Sequence, residues 1–329
     1  MKPFTMKTYI PVFLLLFIFC ISCRTATNSS TTGDNRKCKQ PKKQAAGVTS
    51  RQDNATLQNQ IKTLIRTHRA KVGVAIRFGD KETIICNDST RYAMMSTFKF
   101  PLALAVLSKL DKKQLPLETE IYVTPSDLHP NTYSPLRDTR PEGSFKISIS
   151  ELLRYTVTLS DNNACDILIH YLGSPAAIQD YLTRTGISGI TIVATENTMH
   201  QQENPYLNHC RPSAMTELLE KFLSKTLLSA PYQNFLEKLM LATSTGADKL
   251  KGLLPPGTPV GHKTGSSDRN ANGQKAGDND VGFIRLPDGR YFTIAVFIMD
   301  SAEDDKANAL LIARIARSAY EHYNQTPTH

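Results

Sequence analysis

The sequence predicts an α+β protein: one antiparallel five-stranded sheet, built from both chain ends and flanked by helices, beside an all-α lobe from the middle of the chain. Three observations predict it. Two β-patterned runs lie near residue 75, three more follow residue 260, and the stretch between them is apolar at helical spacing. At 329 residues with 40% hydrophobic content, the chain has ample material for a core.

In chain order, Lys2 and Lys7 precede an unbroken apolar run from Val12 to Ile21. Ten residues fit the apolar segment of a secretory signal and fall short of the roughly 20 needed to span a bilayer. Residues 1–23 are therefore expected to be an export signal, with no transmembrane span. Residues 24–52 are rich in Thr, Ser, Asn, Gln and Lys without apolar periodicity, and are expected to be a disordered basic tail. Leu57, Ile61, Leu64 and Ile65 then recur as on a helix. Val72–Phe78 and Glu82–Cys86 read as paired strands around a Gly79-Asp80 turn.

Ser96 opens a helix that is apolar nearly all round, with Pro101 in its first turns, so it should be buried on every side. Further helices are expected at Ser150–Val157, Ala164–Leu172, Ala176–Thr185 and Ser213–Ser224, with Ile190–Tyr206 a long polar surface loop. The strand pattern returns at Val260–Lys263, Val281–Leu286 and Tyr291–Met299, with Pro287-Asp288-Gly289 the turn between the last two. Asn308–Tyr323 is a closing amphipathic helix. The folded domain should thus run over 53–329, with an α/β lobe at 53–90 and 243–329, an all-α lobe at 91–242, and the active cleft at their junction.

The formal charge of +9 suggests nucleic acid until it is located. Lys2 and Lys7 hold +2, residues 24–52 hold +6, and the body from 53 onward is left with +1. A phosphate-binding surface is not implied, and no nucleic-acid partner is expected. Of six cysteines, Cys86, Cys165 and Cys210 lie in the body, and Cys165 sits in an apolar helical pattern that suits an unpaired buried thiol. No Cys/His spacing suggests a metal, and no cofactor is expected.

Three short motifs carry chemistry. Ser96-Thr97-Phe98-Lys99 puts a hydroxyl and an amine on one helix face. A lysine kept from water beside other cations would have a lowered pKa and could serve as a base. Ser160-Asp161-Asn162 lies between two helices: Ser160 could pass a proton to a leaving nitrogen, and Asn162 could hold an amide carbonyl. Lys263-Thr264-Gly265-Ser266 lies on a strand: Lys263 and Thr264 could hold a carboxylate, and the Ser266 N–H could join that of Ser96 as an oxyanion hole. Each alone also has a plain structural reading, as a helix cap, a turn or an edge-strand charge with a bulge. Their occurrence together and in this order favours the chemical one.

With Tyr133-Ser134-Pro135, Ser160–Leu168, Gly261–Gly265, Asn279-Asp280-Val281-Gly282 and Leu286–Gly289, these motifs resemble the class A serine β-lactamases over about residues 54–325, in particular the cephalosporinase and extended-spectrum branch. The resemblance implies the β-lactamase/transpeptidase-like fold and hydrolysis of penicillins and cephalosporins through a serine acyl-enzyme, conferring resistance. It makes Ser96 the nucleophile, Lys99 or Glu196 the acylation base, Ser160 the proton donor and Glu196 the residue that activates the deacylating water. It places Tyr133 at the cleft rim and gives substrate binding to Asn162, Lys263, Thr264, Gly265 and Ser266. His200 stands where many class A enzymes have an asparagine near that water, and His262 where an aspartate is common.

The expected partner is a small-molecule β-lactam, and the chain is expected to act as a monomer in the periplasm. Phe19-Cys20-Ile21-Ser22-Cys23 resembles a bacterial lipoprotein cleavage site, which would lipidate Cys23; ordinary signal cleavage is the alternative. Two other readings share the three motifs, a D-alanyl-D-alanine peptidase (penicillin-binding protein) and a β-lactam sensor that is acylated without turnover. The peptidase is not expected to carry the loop glutamate, and a sensor would lack an efficient deacylating base.

Overall fold

A computed structural model describes residues 46–79, 82–140 and 143–325. The expected signal, Cys23 and residues 24–45 of the expected tail lie outside them. The first helix, α1 (Ala46–Arg66), begins inside the stretch read as tail. Extending a helix costs less than nucleating one, so a polar segment without proline can prolong the apolar turns that follow it.

After α1 come β1 (Lys71–Phe78), β2 (Glu82–Cys86) and the two-residue β3 (Tyr92–Ala93). A 3₁₀ turn, Met95–Phe98, leads into α2 (Lys99–Lys113). Then follow β4 (Glu120–Val123), α3 (Pro135–Thr139), β5 (Phe145–Ser148), α4 (Ile149–Thr158), α5 (Asn162–Leu172) and α6 (Pro175–Arg184). β6 (Ile190–Thr191), α7 (Glu196–Gln201), β7 (His209–Cys210), α8 (Pro212–Leu223) and α9 (Ala230–Leu241) complete the middle of the chain. It closes with β8 (Val260–Ser266), β9 (Lys275–Arg285), β10 (Tyr291–Ser301) and α10 (Asp305–Gln325).

The large sheet has the order β2-β1-β10-β9-β8, antiparallel throughout, so β1 from the start of the chain pairs with β10 from its end. Side chains alternate across it. Val74, Ile76, Ile84, Ile294, Val296 and Ile298 face α1 and α10 with Leu57, Ile61, Ile312 and Ile315. Val281, Phe283, Ala295 and Phe297 face the helical lobe, where Phe100, Leu104, Leu168 and Phe222 form the larger core. β10 is buried along nearly its whole length because helices cover both faces, which is why it reads as an unbroken apolar run. In the β9–β10 turn, the Leu286 N–H donates to Arg290 O at 2.8 Å, and Gly289 takes φ +88°, a region open to glycine.

The helical lobe also holds two small sheets, β3-β7-β6 and β4-β5. The stretch Ile190–Tyr206 is not a plain surface loop: it contains β6 and α7 and buries Ile192, Ala194 and Met199. The fully buried Asn208 holds it, accepting from Val193 N and Ala194 N and donating to Ala194 O. Cys86, Cys165 and Cys210 are free and buried.

Candidate active site

Ser96 lies in the 3₁₀ turn and not in the first α turn. Pro101 has no N–H to return to Thr97, which disfavours regular α geometry at that point. The turn is pinned from the sheet, where buried Asn279 donates to Ala93 O at 2.8 Å and Met94 O at 3.1 Å. Gly265 lets β8 come close: a Cβ there would stand 2.7 Å from Met94 O and 3.0 Å from Ser96 N, so no side chain fits. The backbones bearing the Ser96 and Ser266 N–H groups therefore lie against each other.

Lys99 is fully buried at the start of α2, and its Nζ reaches Ser96 Oγ (3.0 Å), Ser160 O (2.8 Å), Asn162 Oδ1 (2.6 Å) and Glu196 Oε1 (2.8 Å). Ser96 Oγ donates to Glu196 Oε1 at 3.2 Å. The expected lowering of the Lys99 pKa is overturned. Burial does oppose its charge, but the Glu196 carboxylate in contact and other nearby groups outweigh burial and hold the ammonium above the ordinary lysine value. Within the motif cluster it is Lys263 that is lowered: burial, and then the charge of Lys99, push it well below the ordinary value.

Ser160 has φ +64°, a left-handed conformation that costs a non-glycine residue on the order of 1 kcal/mol. From it the carbonyl meets Lys99 while the hydroxyl accepts from Lys263 Nζ at 2.8 Å. Asp161 holds this turn: it caps α5 through Ala164 N (2.8 Å) and accepts from Leu136 N (2.6 Å) and Ser134 Oγ. Asn162 donates to Thr132 Oγ1 at 2.7 Å, which leaves its second amide hydrogen for a ligand. Thr264 meets Thr245 across 2.6 Å between hydroxyls. Ser266 donates to Asp278 at 2.6 Å and accepts from Lys249 at 3.1 Å.

The motif residues thus converge on one cleft of about 400 Å³ lined by Ser96, Tyr133, Ser160, Asn162, Thr264, Gly265 and Ser266. It opens into a wider cavity of about 870 Å³ bounded by Tyr133, Glu196, His200 and the 266–270 segment. Tyr133 stands at the mouth, 58% exposed. Behind Glu196 lies a third space of about 440 Å³, between the 129–132 segment and α7, which His200 also borders.

Asp166 was not singled out from the sequence, though it lies one helical turn past Asn162. Its carboxylate accepts from Glu196 N (2.8 Å) and Asn197 N (2.9 Å) and so fixes the start of α7. Burial raises it from 3.8 to about 6 despite those bonds. The loop's anchor is therefore Asp166, and His200 is left beside the Glu196 cavities. Among the described residues no group of three or more His, Cys, Asp or Glu is placed to hold a metal ion.

The model of the Beta-lactamase enzyme family matches residues 56–323. A beta-lactamase of Bacteroides uniformis is 46% identical over 278 residues, covering 84% of this chain and 94% of its own. The extended-spectrum beta-lactamase PER-1 of Pseudomonas aeruginosa is 40% identical over 268 residues, covering 80% of this chain and 86% of its own. Among solved structures, the TLA-3 extended-spectrum beta-lactamase has a TM-score of 0.81 at 43% identity, covering 83% of this chain and all of that one. A class A beta-lactamase from Bacteroides cellulosilyticus DSM 14838 also has a TM-score of 0.81 at 43% identity, covering 83% of this chain and 99% of that one.

Proposed function

The chain belongs to the class A serine branch of the β-lactamase enzyme family and hydrolyses the β-lactam amide bond, an activity that confers resistance; from that premise we propose the residues that carry the reaction. Ser96 Oγ attacks the lactam carbonyl and its proton passes to Glu196 Oε1, to which it already donates. Lys99 stays an ammonium and stabilises the charge developing on Ser96 Oγ, so Glu196 and not Lys99 takes the proton. The N–H groups of Ser96 and Ser266 receive the carbonyl oxygen as it becomes an oxyanion.

Ser160 protonates the leaving nitrogen, and Lys263, 2.8 Å from its hydroxyl, favours loss of that proton. Lys263 and Thr264 hold the substrate carboxylate, and Asn162 holds the side-chain amide. The proton that Glu196 took from Ser96 goes to restore the Ser160 hydroxyl, which leaves Glu196 a carboxylate again. Glu196 then takes a proton from water, which attacks the ester, and returns it to Ser96 Oγ as the ester breaks. The wide cavity beside Tyr133 and Glu196 gives room for bulky cephalosporin side chains.

The observation that carries this reading is the Ser96–Lys99–Glu196 cluster, closed by contacts of 2.8 to 3.2 Å. A carboxylate in contact with the nucleophile supports turnover over the peptidase and sensor alternatives. The decisive variant is Ser96→Ala, expected to lose on the order of a millionfold in kcat on nitrocefin. Near-normal hydrolysis by that variant would overturn the assignment.

We place the enzyme in the periplasm as a monomer, exported by residues 1–23, with either a lipid tether on Cys23 or ordinary signal cleavage completing export. Among the described residues no helix is long and apolar enough to cross a membrane.

A further inference from the structure

Behind the Lys263-Thr264-Gly265 strand, on the face turned away from Ser96, lies a pair that the reaction does not use. His262 and Asp280 are both completely buried. His262 Nδ1 lies 2.9 Å from each Asp280 oxygen, and Asp280 Oδ2 also accepts from Leu250 N at 3.1 Å. Space for the ring is built in. His262 sits opposite Gly282 on β9, where a Cβ would stand 2.8 Å from the His262 Cβ.

The hydrogen bonds assign the charge. Nδ1 donates its proton to Asp280, while His262 Nε2 is buried with no partner among the described residues. Asp280 accepts on both oxygens, from the His262 ring and from Leu250 N, as an ionised carboxylate does. The charged groups facing it are few. Lys251, half-buried, responds to Asp280, although burial dominates its lowered pKa. On the same sheet face Asp278 is already matched by Lys249 (2.5 Å) and Lys275 (3.4 Å). Across β8 stands Lys263: Asp280 is the register partner of the next residue, Thr264, so its carboxylate favours the Lys263 charge while Lys99 opposes it.

We propose that Asp280, oriented by His262, is a positioning residue: a buried anion that keeps Lys263 an ammonium against the Lys99 ammonium. Glu196 supports Lys263 only while it is ionised. When Glu196 takes the Ser96 proton that support is lost, whereas Asp280 lies away from the reacting atoms and exchanges no proton with them. The inference rests on the reading of Lys263 as the cation that receives the substrate carboxylate and faces Ser160.

The test is the alkaline limb of the kcat/KM profile on nitrocefin. Asp280→Asn, close in shape but neutral, should move that limb to lower pH by about one unit. Asp280→Ser, smaller and also neutral, should move it the same way, and guards against a folding defect in the first variant. His262→Asn keeps a donor and the Asp280 charge, so its limb should stay at the wild-type position. Lys263→Arg should remove the limb, because a guanidinium stays charged. If Lys263→Arg leaves the limb in place, the reading of Lys263 fails. If Lys263→Arg removes it but the folded neutral Asp280 variants titrate like wild type, the role of Asp280 is overturned.

Discussion

Asp166 offers a prediction whose size follows from its surroundings. Its carboxylate is 3% exposed and is raised from 3.8 to about 6, mainly by burial. The native state therefore binds this proton more tightly than the unfolded chain. Between pH 4 and 6 the native state holds more protons, so stability falls as pH rises through that window. A displacement of about two pH units corresponds to about 3 kcal/mol, absent below pH 4 and complete above pH 6. Asp166→Asn is neutral at every pH and keeps an oxygen for one of the two N–H groups, which donate to separate oxygens of Asp166; the loss at the other is the same at every pH and drops out of the comparison across pH. The assay is urea unfolding of both proteins at half-unit steps from pH 4 to 7.5. Relative to the variant, the wild type should lose about 3 kcal/mol across the window. Parallel curves would refute the reasoning, because they would mean that Asp166 does not titrate there.

Gly265→Ala should cost both stability and rate. The new Cβ meets Met94 O at 2.7 Å, so β8 and the Ser96 turn must part; about 1–3 kcal/mol of stability and a kcat loss on the order of a hundredfold are expected. Wild-type kinetics in this variant would show that the close approach of β8 is dispensable. His200→Asn should change cephalosporin deacylation more than acylation, since His200 borders the cavities that Glu196 lines; pre-steady-state kinetics would separate the two steps, and unaltered rates with unaltered loop proteolysis would leave His200 without a role.

The large sheet and the main helices were legible because their apolar residues repeat at periods of two and 3.6. The catalytic residues were legible for a different reason: the three motifs are compact and ordered along the chain. What stayed hidden was set by partners distant in sequence. Lys99 read as an amine that burial would discharge, and only the fold brings Glu196 to within 2.8 Å of it. Asp278, Asn279 and Asp280 look like loop residues, yet all three lie buried in β9, each matched by a cation, a backbone group or His262. β3, β6 and β7 are two residues long and have no period to detect. Within Ile190–Tyr206 the polar composition masked a structured segment, because its polar groups are satisfied by Asp166 and Asn208 and not by solvent.

The central claim is that Glu196 activates the water that frees Ser96, and intact-protein mass spectrometry after mixing with a cephalosporin tests it most directly. In Glu196→Ala the carboxylate that favours the Lys99 ammonium is gone, so Lys99 can take the Ser96 proton in acylation, whereas no second carboxylate touches Ser96 Oγ among the described residues to activate the deacylating water. Glu196→Ala should therefore still accept the drug and hold it, with the protein-plus-adduct mass persisting for minutes and the label mapping to Ser96, while the wild type returns quickly to its bare mass. A Glu196→Ala protein that clears the adduct as fast as wild type would contradict the account, and so would a wild type that itself stays acylated.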